Sequence, residues 1–288
     1  MEIKSMKWLV IIGVLILVCL GLAIIYGRYR WQIDTDHLRV KLASGRQIIK
    51  PEFYHQEELV GLPAPVQRFF QKVLKDGQPM ISTVKLRHQG QFNMSETEVK
   101  WSPFTSTQVA IAQRPGFDWD GHIQMAPGVN VFVHDTYLSG QGNLHASLLG
   151  LFTLAKMHHT PELNQGELLR FFAEAAWYPT ALLPSQGVRW DAIDDTSARG
   201  TLTDGTTTVS LVFRFNSDGT MESFRADARY GTFGGKLMAM PWSGRFGDYA
   251  VREGMCIPLS GEVGWERPEG TWLYFKGKIA AIEYEFVS

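Results

Sequence analysis

Residues Trp8–Tyr26 read WLVIIGVLILVCLGLAIIY and contain no charged side chain. As a helix rising about 1.5 Å per residue this run is about 28 Å long, close to the hydrocarbon thickness of a bilayer. Trp8, Tyr26, Tyr29 and Trp31 stand at its edges, where amphipathic rings favour the headgroup layer, and Lys4, Lys7, Arg28 and Arg30 flank it. A cleaved leader would carry a shorter apolar core followed by a small-x-small site, which is missing. Leu17 and Val18 precede Cys19, where a lipoprotein signal needs a small residue. The reading is a single uncleaved membrane anchor over residues 1–30. Arg28, Arg30, Arg39, Lys41 and Arg46 on the C-terminal flank would, by the positive-inside rule, keep the globular part in the cytoplasm. A short basic leader before a first apolar helix instead suits export, and an extracytoplasmic position is the expectation adopted.

Residues 31–59 read as a stalk, Gln32–Lys50 being polar with scattered apolar positions. Helix signals begin at LPAPVQRFFQKVLKDGQP. Pro65 suits a first turn, Val66, Phe69, Phe70, Val73 and Leu74 make one apolar face, and Gly77 and Pro79 stop it. Beyond, the period changes. ISTVKLRHQGQF, TSTQVAIAQ, GFDWDGHIQM and GVNVFVHDTYLSG alternate in the manner of strands, as do six segments after residue 187, with hairpin turns at NSDG and RPEG. Asn143–Met157 fits strand or helix. A second helix starts near Asn164 and runs through RFFAEAAW. Strands follow strands without intervening helices, so residues 60–288 are expected to form an α+β domain. Its large, curved, mostly antiparallel, half-barrel-like sheet would carry a few packed helices. RFF recurs at Arg68–Phe70 and Arg170–Phe172, each on a helix preceding strands, which would fit two related halves, although so short a match arises readily by chance.

Several function classes are disfavoured. The formal net charge of −1 provides no basic field for nucleic acid. Cys19 and Cys256, the two cysteines, cannot build a metal cluster, and neither HExxH nor CxxC occurs. No cofactor or metal is expected, and no catalytic residue is assigned, since GxSxG and GxxxxGK[ST] are missing and GQGNLH does not open a helix after a strand. His134 and Asp135 are neighbours in a strand and point to opposite faces. As an enzyme the chain would have to rely on Arg170, Glu174 and His134.

LPAPVQRFF, HQGQF, WSPF, GFDWDGHIQMAPGVNVFVHDTYLSGQGNL, LLRFFAEAAWYPTALLP and VRWDAIDD together resemble an uncharacterised bacterial membrane-anchored family of unknown function. The resemblance covers roughly residues 60–288 and brings no catalytic residues with it. In architecture alone the chain is similar to the LolA and LolB group of lipoprotein carriers, which implies an apolar cavity for acyl chains at the cell envelope.

Glu167, Arg170 and Glu174 are spaced i, i+3 and i+7, one stripe about 60° wide on an otherwise apolar helix. The stripe is either a solvent edge, a structural ion network, or a grip in which Arg170 and Glu174 hold a polar head; the structural readings are the more economical. Trp119, flanked by Asp118 and Asp120, would face the interior while the aspartates face outward. The candidate ligand-binding residues are therefore Arg170, Glu174, Trp177, Trp119 and Phe172. The expected ligand is a lipid or other apolar small molecule, and the alternative is an interaction scaffold for an envelope protein.

Overall fold

The computed structural model describes residues 2–287, with side chains from Lys7 onward; Met1, Ser288 and the Lys4 side chain lie outside the described residues. Helix α1 runs over Glu2–Ser44, apolar and long enough in its first part to cross a membrane. It does not stop where the apolar run ends. No proline interrupts it, and Trp31, Thr35, Leu38 and Leu42 recur at helical spacing, which gives its second part a face to pack. Gly45 closes the last turn through its N–H to the Leu42 carbonyl at 3.0 Å. Helix α2 (Ala64–Val73) buries Pro65, Val66, Phe69, Phe70 and Val73, the face its spacing predicts.

Fifteen strands follow. The first six are β1 (Ile81–Asn93), β2 (Trp101–Ile111), β3 (Gly116–Ala126), β4 (Val129–Leu138), β5 (Gln141–Leu148) and β6 (Phe152–His158), so Asn143–Met157 is strand on both sides of a tight turn. Helix α3 spans Pro161–Glu174. It begins three residues before Asn164 because Thr160 caps it, its hydroxyl accepting the Leu163 N–H at 3.2 Å, and Pro161 suits the first turn. Its final residues tighten into a 3-10 turn at Ala175–Trp177. The remaining strands are β7 (Arg189–Ala192), β8 (Ser197–Asp204), β9 (Thr207–Phe215), β10 (Met221–Phe233), β11 (Lys236–Gly247), β12 (Ala250–Arg252), β13 (Met255–Ile257), β14 (Ser260–Arg267) and β15 (Gly270–Phe286).

Apart from the β12–β13 hairpin, all belong to one 13-stranded antiparallel sheet ordered β6-β5-β4-β3-β2-β1-β15-β14-β11-β10-β9-β8-β7. The first and last strands meet in its middle, Gly90 opposite Gly277. The sheet is curled into a half-barrel, as the alternation of its strands and the shortness of their turns imply. Between the open edges β6 and β7 the chain crosses the concave side as α3 and three short 3-10 turns. On the β7–β9 side this hollow is solid: Phe172 packs edge-on against Phe213 at 5.3 Å, Phe69 on Phe215 at 5.4 Å and Trp190 on Phe213 at 5.3 Å.

The second part of α1 lies on the opposite, convex face, across β2, β3 and β4. Trp31 donates its indole N–H to Asp120 Oδ1 at 2.9 Å and stacks on His134 at 4.1 Å. The Thr35 hydroxyl lies 2.7 Å from His134 Nε2, and Arg39 Nε donates to Asp118 Oδ2 at 3.0 Å. Asp118 and Asp120 therefore do point away from Trp119, but they are buried under a helix and not set in solvent. Burial pushes the Asp118 carboxyl up to about 7 against the pull of Arg39, and burial holds His134 down at about 4.

Candidate ligand-binding site

On the other side of the hollow, beneath α3, the filling is incomplete. A cavity of about 560 Å³ remains between α3 and the concave faces of β3–β6, β10, β11, β14 and β15. Its walls are mostly apolar: Trp119, Ile123 and Val133 on one flank, Trp242, Trp265 and Phe275 on the other. Strand alternation brings these side chains in, and the aromatic rings leave gaps that the short side chains Ala146 and Ala173 do not fill.

Two arginines line one side. Arg170 Nε donates to Glu174 Oε1 at 2.8 Å and Nη1 donates to Asp135 Oδ2 at 2.5 Å. Its guanidinium lies 5.0 Å from the ring centroids of both Phe117 and Trp119. Glu174 also accepts from Gln108 Nε2 at 2.6 Å. Burial alone would lower the Arg170 pKa, but Glu174 and Asp135 reverse this and raise it, so the side chain is a permanent cation. Arg229, from β10, donates through Nε to the Gly166 carbonyl at 3.1 Å and through Nη2 to Glu167 Oε1 at 3.3 Å, and its guanidinium covers Trp242 at 4.6 Å.

Glu167 is 3% exposed. Burial, then the neighbouring Asp135 charge, push its carboxyl well above the usual range, outweighing Arg229 and Arg170. Glu167 Oε2 and Asp135 Oδ1 are buried with no hydrogen-bond partner among the described residues, and burial together with the Asp135 charge favours a proton on Glu167. With that proton, the charges of Arg170, Arg229, Asp135 and Glu174 cancel. The cavity thus has a polar but neutral floor, and the stripe of Glu167, Arg170 and Glu174 turns inward as an ion network instead of forming a solvent edge.

This arrangement makes stability pH-dependent. A carboxyl whose pKa is raised by folding contributes fully below its unfolded value of about 4.5 and loses that contribution as pH rises towards the folded value. Glu167→Gln keeps a donor for Asp135 and cannot ionise. Wild type and E167Q are therefore expected to unfold alike near pH 5, with wild type falling behind as pH is raised; urea unfolding at a series of pH values checks this, and parallel curves would mean that folding does not raise the Glu167 pKa.

The structure brings Arg170, Glu174, Trp177 and Trp119 to the cavity wall. Phe172 is not among them: it points to the solid side, against Phe213 and over Gly200, where an added Cβ would sit 2.8 Å from its ring. His134 is on the convex face, across the sheet from Arg170 and Glu174, so these three do not converge. Asp135, Gln108 and Arg229 escaped the sequence reading. For Asp135 the signal was present, since it shares the inward face of β4 with Val133. Arg229 follows a register shift in β10, which alternation does not anticipate. Trp177 lines the cavity, and its buried indole N–H has no hydrogen-bond partner among the described residues. The exposed trio His55, Glu57 and Asp76 is not part of the cavity lining.

Comparison with known proteins gives a family and a distant structural likeness. The crystal structure of a LolA superfamily protein from Nitrosomonas europaea is similar over 79% of this chain and 96% of that one, at 9% identity and a TM-score of 0.42. No curated protein matches the chain. Residues 60–284 match the model of a family of unknown function, DUF6920, to which the chain belongs.

Proposed function

We propose that the protein is a membrane-anchored, non-enzymatic binder of an apolar or amphipathic ligand, an acyl chain of a lipid being the class that suits it. The observation that carries this reading is the cavity beneath α3. Its volume of about 560 Å³ falls inside the ~300–1,000 Å³ range of small-molecule sites. Its aromatic and aliphatic walls favour hydrocarbon, and the charges beneath α3, those of Arg170 and Arg229, are already paired with Glu174, Asp135 and Glu167. Residues 8–26 hold the protein in the bilayer, with the sheet on the extracytoplasmic side, as the short basic leader favours. Phe172 belongs to the scaffold that keeps α3 in place.

The test is displacement of a fluorescent fatty acid from the full chain in detergent-free nanodiscs, wild type beside Ala146→Trp. Ala146 is half-buried on the cavity wall, and an indole there occupies the hollow. Saturable binding is expected in wild type and a loss of about tenfold or more in affinity, about 1.4 kcal/mol, in A146W. Equal signals from both proteins, with both folded, would sink the reading.

A further inference from the structure

The antiparallel ladder places the turns of the sheet at two ends. Residues 94–100, 127–128, 149–151 and 268–269 join strands at one end, and residues 112–115 and 139–140 join them at the other. The β10–β11 turn belongs with the first set: Gly234 N–H donates to Glu96 Oε2 at 2.7 Å, and Arg267 Nη1 donates to the Glu96 carbonyl at 3.0 Å. The cavity lining runs out to this same end through Met94, Glu96, Thr232, Phe233 and Arg267.

Helix α1 fixes which way that end faces. Gly45 lies near the Ser139 hydroxyl, Leu42 packs on Ile111 and Leu138, Arg39 reaches Asp118, and Trp31 reaches Phe132 and His134. Traced from its C-terminus, the helix climbs the convex face from the 139–140 end to the 149–151 end. It leaves the sheet at Gly27, where an added Cβ would lie 2.2 Å from the Leu149 carbonyl oxygen; only glycine allows that approach. The next residue outward is Tyr26, the last of the apolar run, so no spacer separates the 149–151 turn from the membrane-crossing segment. Tyr26 and Tyr29, both exposed, mark the headgroup layer at that level.

The surface around this end carries exposed apolar side chains among the charged ones of Glu98, Lys100, Lys236 and Glu269. Val99 is 71% exposed, Phe152 63%, Leu154 59% and Leu237 53%, and Met125 and Met238 are also exposed. All six lie in or beside the turns of the cavity end.

We propose that these turns dock into the interfacial layer of the same bilayer that holds residues 8–26, so that the cavity opens onto the lipid itself. The occupant is a lipid surface because the anchor emerges beside the apolar rim with no linker, leaving no room for a protein between them. A headgroup and acyl boundary admits apolar side chains to a depth of about 5–10 Å, enough for turns that begin level with Tyr26. A guest can then pass between bilayer and cavity without crossing water; this last consequence rests on the proposed ligand binding, whereas the docking itself does not.

The experiment uses the full chain with Cys19 and Cys256 replaced by Ala, carrying a single cysteine labelled with an environment-sensitive fluorophore. The protein is reconstituted in phosphatidylcholine vesicles whose acyl chains carry bromine quenchers. Labels at Phe152→Cys and Leu237→Cys are expected to lose fluorescence to the brominated lipid. Labels at Ile193→Cys and Val251→Cys, exposed apolar positions outside the rim, are expected to keep it. Equal quenching at all four positions, or none at 152 and 237, overturns the proposal, as does protection of those two by crosslinking to another protein. Fatty acid displacement tests ligand binding separately, so either idea can fail alone.

Discussion

Arg170→Met is expected to destabilise the globular part by about 3–5 kcal/mol, the usual cost of deleting one member of a buried charge pair. Arg170 stands between two acids: Glu174 and Asp135 each accept from it, and both carboxylates are only 14% exposed. Removing the cation leaves two negative charges side by side beneath α3, with Gln108 as the remaining donor to Glu174. At about 2–4 °C per kcal/mol for a domain of this size, the melting temperature should fall by roughly 10 °C. Adding Asp135→Asn and Glu174→Gln removes the stranded charges, and the triple variant should regain most of the loss, because similar-volume neutral replacements of buried ion networks are often tolerated. Thermal unfolding followed by circular dichroism measures all three proteins. A triple variant no better than R170M would mean that packing of the guanidinium on Phe117 and Trp119, and not charge, is what the residue supplies.

Trp31→Ala is the second large effect. Trp31 is 3% exposed, stacks on His134, and satisfies Asp120 through its N–H. Truncating a buried tryptophan costs about 3–5 kcal/mol, and here most of that cost falls on one local step, the docking of residues 27–44 on the convex face. The expected result is that amide hydrogens of β2–β4 remain protected while α1 beyond Gly27 exchanges faster and is cut by trypsin at Arg30, Arg39 or Lys41. Trp31→Phe keeps an aromatic ring in place but loses the hydrogen bond to a carboxylate, about 1.5–3 kcal/mol, together with part of the indole's packing. Unchanged protection in W31A would show that Arg39 on Asp118 and Leu42 on Ile111 hold the helix unaided. Loss of docking would also separate the anchor from the cavity end, so W31A should weaken quenching at position 152.

Much of the architecture could be read in one dimension. The uncharged run from Trp8 to Tyr26 and the helix face of α2 are local patterns, set by 3.6-residue periodicity and by the absence of charge. The change to two-residue alternation after Pro79 called for an antiparallel sheet, and Trp119 facing inward followed from alternation alone. The stretch Gln32–Ser44 shows the limit. Its apolar residues are few, and its packing face includes Thr35 and Arg39, whose partners Asp120, His134 and Asp118 are some eighty to a hundred residues away along the chain. A polar face with distant polar partners looks, in sequence, like a face with none.

The candidate site divides in the same way. That α3 is too apolar to be exposed was evident from Leu168, Leu169, Phe171 and Phe172. Which of its faces meets solid core and which meets a hollow depends on how far the sheet curls between β6 and β7, and on which aromatic rings it turns towards the helix. Phe172 and Trp177 are equally apolar and five residues apart, yet one is wedged against Phe213 and the other lines the cavity. The amino-acid sequence by itself determined the long apolar N-terminal segment, the antiparallel class and the inward set of side chains, because these depend on periodicity and polarity within a few residues. The cavity, the pairing of Arg170 and Arg229 with their acids, and the alignment of the cavity end with the apolar N-terminal segment were decided only by tertiary structure. Each depends on distances between residues far apart in the chain, and those distances arise from the curl of the sheet and the seating of α1 against it.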